Sequence, residues 1–326
     1  MDYLILILGL AVLILGGEFL VRGAVGFSKK MKISSLVIGM TVVAFGTSAP
    51  ELLVSLKSAL NGNPGIAVGN VIGSNIANIA LVLGVTVMIF PIVVDRNTKR
   101  IDYPMMLFAT LLLSVFALDG WFSLVEGMFM FAVLIFFLTW VIRKSRKETK
   151  SKEKENNKTN EEVEEYKEEA FWKSGLFLAL GFVGLYFGAD WFVKGAVSIA
   201  NELLATNPNK DVIIGVTVVA FGTSAPELVA SCVAAFKKET DISIGNLIGS
   251  NIFNIFAVIG LTSMVKPIEV SQSVIEFDML WMIGITLLLL LVLYTGKKIG
   301  RLKGVILFSS YVAYITIIVL KVQGVF

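Results

Sequence analysis

Two glutamates stand where an acid is costly. Glu51 and Glu227 each follow a proline in an otherwise apolar stretch, near the end of a phrase that occurs twice. Gly39–Leu52 reads GMTVVAFGTSAPEL and Gly215–Leu228 reads GVTVVAFGTSAPEL, so only Met40 against Val216 separates the copies. An ionisable side chain inside a membrane-like stretch points to function. Thr47 precedes Glu51 by four residues and Ser48 by three, which puts hydroxyls and carboxylate on one helix face. A second phrase, GNVIGSNIANIALVLG over Gly69–Gly84, returns as GNLIGSNIFNIFAVIG over Gly245–Gly260, at the same offset (227 − 51 = 246 − 70 = 176). Within it Ser74 and Asn78 are spaced i,i+4, as are Ser250 and Asn254. All these groups are oxygen donors, which suit hard cations such as calcium, with about six to eight oxygen ligands. Sodium is suited by the same atoms, and two glutamates would balance one divalent ion.

The prolines matter to that chemistry. Pro50 has no N–H, so the carbonyl of Gly46 is expected to lose its helical partner, and Gly46 to relieve crowding by the ring; Pro226 and Gly222 repeat the arrangement. Freed carbonyls inside a membrane are tolerated only where protein buries them or they line a wet cavity.

Composition identifies the elements that must hold these residues. The chain has 326 residues, is 56% hydrophobic and only 16% charged, with mean hydropathy +0.81. Its apolar runs last about 20 residues and have no polar face, which describes membrane-crossing helices. It carries no histidine, which excludes a zinc enzyme or a histidine proton relay. The single Cys232 excludes an internal disulfide framework. An all-α polytopic fold of ten spans is expected, at about residues 2–27, 34–60, 65–91, 101–118 and 121–143, then 171–199, 211–236, 241–266, 277–296 and 302–322. The N-terminal run reads as a retained first span rather than a cleaved signal. Between the two sets, residues 144–170 form a charged segment, basic then acidic, that reads as a solvated linker.

Five connections concentrate Lys and Arg: those at Lys29–Lys32, Arg96–Arg100, the linker start, Lys237–Lys238 and Lys297–Lys303. The positive-inside rule makes that face cytoplasmic and leaves both termini outside. Because each half, 1–143 and 171–326, holds an odd number of spans, the second half enters the membrane from the other side. That describes an inverted-topology repeat whose duplicated motifs, 39–52 with 69–84 and 215–228 with 245–260, converge near mid-membrane. A weaker match aligns Gly17-Glu18 through Val25 with Ala189-Asp190 through Val197.

Other features have plainer readings. Gly69, Gly73, Gly245 and Gly249 read as positions of close helix approach, and Asn70, Asn75, Asn246 and Asn251 as bonds across helices. Glu18–Arg22 and Asp190–Lys194 are spaced to pair on their own helices. Lys57, matched by Val233 in the second half, is expected to snorkel toward the interface.

The paired GTSAPE and GSNIxNI phrases resemble the alpha-repeats of the cation/calcium exchanger superfamily, in its prokaryotic sodium/calcium exchanger branch. The resemblance covers both halves and implies an antiporter exchanging calcium for sodium by alternating access, with no cofactor and no enzymatic role. It implies that Glu51 and Glu227 are ligands shared by both ions and that Thr47, Ser48, Thr223, Ser224, Ser74 and Ser250 supply further oxygens. The carbonyls of Ala44 and Ala220 would line outer sodium positions, and Asn78 and Asn254 would sit mid-site. Some relatives carry aspartate at the Asn254 position. The resemblance further implies that the first and sixth spans slide against the core. The partners implied are calcium, sodium and the lipid bilayer of a prokaryotic plasma membrane, without nucleic acid or an obligate protein partner. A proton/calcium exchanger of the same superfamily stays open, since both glutamates can carry protons; a cation channel or an intramembrane hydrolase is the more distant alternative.

Overall fold

The computed structural model describes residues 2–159, 171–205, 214, 218, 220–296 and 298–322. Apolar side chains on every face, with only seven prolines in the chain, make the described residues almost wholly helical. Among the described residues eight helices are long and apolar enough to cross a membrane. They are α1 (Asp2–Met31), α4 (Pro64–Ile89), α5 (Thr98–Asp119), α6 (Leu124–Thr159), α7 (Phe171–Leu203), α10 (Thr240–Val265), α11 (Val274–Tyr294) and α12 (Arg301–Val322). A bent pair, α2 (Ser35–Thr47) and α3 (Ala49–Leu60), meeting at 41°, is long and apolar enough when taken together. The short α8 (Ala220–Thr223) and the apolar α9 (Ala225–Phe236) complete the described helices. They lie in the span expected over 211–236, most of whose earlier residues fall outside the described set.

One boundary differs from the compositional reading. Helix α6 runs through the basic half of the charged segment as far as Thr159. Lys and Glu are good helix formers, no Gly or Pro interrupts them, and Lys144 pairs with Glu148 one turn on, at 3.6 Å. Residues 160–170 lie outside the described set.

The helices sort by depth. The most apolar stretch of α10 is entirely buried and that of α4 is 78% buried, against 17% for α12. The two helices that carry the GSNIxNI phrases are therefore the interior of the bundle. Where α10 crosses α2, Gly39 abuts Ile242, Gly245 abuts Leu36 and Gly249 abuts Met40, backbone against backbone. The expected packing role of Gly245 and Gly249 is thus met, whereas an added Cβ on Gly69 or Gly73 would meet nothing within 4 Å, so those two do not mark a close helix approach.

Helices α1 and α7 pack along their length. Gly9, Gly16 and Gly23 recur every seven residues on α1, and Gly181, Gly188 and Gly195 on α7. Gly16 faces Leu185 and Gly23 faces Leu178, while Gly181, Gly188 and Gly195 face Leu20, Leu13 and Leu6. Because the numbers rise on one helix as they fall on the other, the pair is antiparallel. A Cβ placed on Gly16 or Gly181 would stand 2.6 Å from backbone of the partner helix.

Two small antiparallel ribbons tie the halves together. Strand β1 (Ile92–Val93) pairs with β4 (Lys298–Ile299), and β2 (Trp121–Phe122) with β3 (Ile268–Glu269). Asp190 and Lys194 form the expected pair at 2.7 Å, whereas Glu18 meets Lys237 across helices and Arg22 lies over the Phe177 ring. Gly16→Leu must push α1 and α7 apart, at a cost of about 1–3 kcal/mol. Thermal unfolding in detergent should show a lowered midpoint; an unchanged one overturns the backbone contact.

Candidate functional site

Each GTSAPE phrase forms a break between two helices. At Ser48 the backbone leaves the helical region (φ −87°, ψ 0°), and α3 begins at Ala49-Pro50 with Glu51 in its first turn. Ser224 repeats this geometry (φ −88°, ψ 2°), with Glu227 in the first turn of α9. The arrangement directs helix N-termini, with their partial positive charge, at the carboxylates, while the C-terminal carbonyls of the preceding helix favour a cation. The Ala44 carbonyl accepts the Ser48 N–H at 2.9 Å and the Thr47 hydroxyl at 3.4 Å.

The glycine of each break has a tertiary reason that proline crowding did not reveal. A Cβ on Gly46 would overlap the Phe182 ring of α7, and one on Gly222 would overlap Val193 of the same helix.

The interior helices supply the other wall. Both loosen from α-helical into wider π turns, over Ala77–Leu83 in α4 and Asn254–Ile259 in α10. Such turns are frequent at functional sites. Asn78 and Asn254 sit at the start of these turns and are fully buried, as are Glu51, Glu227 and Ser250. Thr47, Ser48, Ser74 and Ser224 are buried beside them, and Thr223 is half-buried. Ala44 is buried, Ala220 opens α8, and residues 215–217 and 219 of the second phrase lie outside the described residues.

Bonds between the halves hold the frame. The Thr47 hydroxyl donates to Asn246 Oδ1 at 3.2 Å and lies 3.3 Å from Ser250 Oγ. Asn75 Nδ2 donates to the Asn251 carbonyl, its counterpart 176 residues on, at 3.5 Å. Asn246 donates to Ser231 at 3.1 Å, and Asn70 donates to Ser55 at 3.0 Å and to the Glu51 carbonyl at 3.2 Å. Sequence reasoning missed Ser55 and Ser231, although each stands four residues after its glutamate. Because the Thr47 hydroxyl of the first half reaches Asn246 and Ser250 of the second, the two duplicated regions adjoin.

What remains unbonded is informative. Both carboxylate oxygens of Glu51 and Glu227, the amide atoms of Asn78 and Asn254, and the hydroxyls of Ser48, Ser74 and Ser224 are buried without a hydrogen-bond partner among the described residues. Buried polar atoms are ordinarily paired, so orphans gathered at one place call for another partner. Among the described residues no three His, Cys, Asp or Glu gather, so the donors are two carboxylates and neutral oxygens. That set fits a hard cation and offers nothing to a thiophilic metal.

Comparisons with known proteins agree with this chemistry. The family model described as sodium/calcium exchanger protein matches residues 1–143 and 173–320. The chain is similar to the sodium/calcium exchanger MaX1 of Methanosarcina acetivorans, 34% identical, with 97% of this chain and 98% of that one covered. It is 35% identical to the putative antiporter CaxA of Alkalimonas amylolytica, over 94% of this chain and 95% of that one. Among solved structures it resembles the sodium-calcium exchanger NCX_Mj, soaked with sodium and calcium, at 32% identity and a TM-score of 0.80, covering 97% of each chain.

Two unpaired buried acids destabilise a bundle until a cation balances them. In chelated, sodium-free detergent solution the Glu51→Gln/Glu227→Gln double variant should therefore melt above the parent. Calcium should raise the midpoint of the parent alone. An equal calcium shift in both proteins overturns the site.

Proposed function

The chain belongs to the sodium/calcium exchanger protein family, and from that membership we propose that it exchanges calcium for sodium by alternating access at the Glu51–Glu227 site. One observation supports the reading: two fully buried carboxylates, each in the first turn after a helix break, lack protein hydrogen-bond partners, as do buried hydroxyl and amide oxygens of the same duplicated phrases. Glu51 and Glu227 are the ligands that both ions share. The hydroxyls of Thr47, Ser48, Thr223, Ser224, Ser74 and Ser250, and the amide oxygens of Asn78 and Asn254, complete the set. The Ala44 and Ala220 carbonyls serve the outer sodium positions; that of Ala44 does so while also accepting within its helix.

Coupling follows from charge. Calcium or sodium neutralises the carboxylate pair, so an ion-loaded site can be sealed and reopened on the other side. A site with two bare carboxylates resists that passage, which ties one flux to the other. With asparagine rather than aspartate at position 254, the pair of glutamates carries the formal charge of the site.

The architecture proposed is ten spans in two inverted five-helix halves, 1–143 and 171–326, joined by the charged segment 144–170. Three features support it: the constant motif offset, the antiparallel pairing of α1 with α7, and the interruption of the family match over the charged segment. The basic connections put that segment on the cytoplasmic side of a prokaryotic plasma membrane, with both termini outside. The packed α1–α7 pair is the element that slides against the remainder.

Vesicles loaded with sodium and diluted into sodium-free medium should take up calcium. Glu51→Gln or Glu227→Gln should each remove nearly all of that uptake. Near-normal exchange by either variant overturns the assignment, and uptake driven by a pH gradient without sodium replaces sodium with protons as the counter-ion.

A further inference from the structure

Helix α1 is held against α9 by a matched strip. Val229, Val233 and Lys237 follow one another at four-residue intervals, so they line one face of α9 and its C-terminal cap. A Cβ on Gly17 of α1 would lie 3.0 Å from Val229 and 3.3 Å from Val233. That close approach carries the next residue, Glu18, to an ion pair with Lys237. The first turn of α9 holds Glu227, so α1 is fastened to a helix of the ion site.

The corresponding strip in the first half is open. At the repeat offset, Val229, Val233 and Lys237 become Leu53, Lys57 and Asn61 of α3, the helix of Glu51. Leu53 is 56% exposed, and Lys57 and Asn61 are exposed as well. The Lys57 ammonium has no ion-pair partner among the described residues. On α7, the glycines at 181, 188 and 195 align with those at 9, 16 and 23 of α1, which places Ala189-Asp190 at the positions of Gly17-Glu18. Asp190 is paired with Lys194 of its own helix.

We propose that Glu18–Lys237 and Asp190–Lys57 are alternating positioning pairs. The first holds the α1–α7 unit on α9 when the cytoplasmic side is closed, and the second holds it on α3 when the outer side is closed. The substitutions between the halves fit this exchange. Aspartate is one methylene shorter than glutamate, and Lys57 stands one turn closer to its glutamate than Lys237 does. Asp190 trades one lysine for another, so neither state leaves it unpaired. Solvent-accessible ion pairs are weak, which suits a bias between states rather than a lock, of about two- to fivefold in population each.

This inference rests on the alternating-access reading, and its test separates the two. In the full-length protein in vesicles, with Cys232→Ser as background, Glu18→Cys/Lys237→Cys and Lys57→Cys/Asp190→Cys are each treated with a bis-methanethiosulfonate, which joins two thiols through reducible disulfides, while sodium and calcium are varied on the two sides. Both pairs should bridge, with yields that move in opposite directions. Bridging the first pair should suppress the second in a four-cysteine protein, and each bridge should stop calcium flux until reductant restores it. Separately, Lys57→Asp should shift the bridging yield of the first pair about two- to fivefold, and adding Asp190→Lys should reverse that shift, which a merely structural role of Lys57 would not allow. Failure of the Lys57–Asp190 pair to bridge under any gradient, or both bridges forming in one molecule, overturns the proposal. Bridging is read without flux, so a parent protein that bridges exclusively yet moves no calcium against sodium overturns the antiport reading alone.

Discussion

Two carboxylates with no exposed surface and no hydrogen-bond donor among the described residues are the constraint on which the rest of the molecule depends. In a low-dielectric interior such charges are tolerable only with an opposite charge beside them. Each element around them lowers that cost or makes use of it. The breaks at Ser48 and Ser224 direct helix N-termini at Glu51 and Glu227. The wide turns at Asn78 and Asn254 bring amides to the same place. The bonds from Thr47 to Asn246 and from Asn75 to Asn251 set the halves in register.

Glycine sets how closely the helices approach. Gly39, Gly245 and Gly249 let α2 cross the buried α10 with backbones touching, which fixes the framework behind the candidate ligands. The heptad glycines of α1 and α7 make those two helices a single packed unit. Against that unit the site is contacted more lightly: Phe182 fills the notch at Gly46 and Val193 the notch at Gly222. Both knobs belong to α7, so one helix touches both breaks.

The repeats are similar without being equivalent. The same α1–α7 unit is docked along α9 and leaves the matching strip of α3 open, so near-identical phrases sit in unequal surroundings. In the proposed alternating-access reading such inequality is expected, because inverted halves related by a pseudo-twofold axis in the membrane plane exchange their surroundings between the two states.

Much was legible without coordinates because it is local or duplicated. Hydropathy located most of the described helices within a few residues, since a membrane span is set by length and apolarity; the end of α6 lay sixteen residues further on, and much of the span expected over 211–236 falls outside the described residues. Duplication at a constant offset marked Glu51 and Glu227, Ser74 and Ser250, and Asn78 and Asn254. The Asp190–Lys194 pair follows from one helical turn. Other facts are long-range and only tertiary packing decided them. Glu18 finds Lys237 on another helix, Gly46 makes room for Phe182, and Ser55 and Ser231 hold the asparagines of α4 and α10. The helical course of residues 144–159 went unread because charge alone does not distinguish a solvated helix from a linker. Sequence by itself determined which residues are too costly to be accidental. The fold decided which of them meet, because side chains far apart in the chain become neighbours only when helices pack.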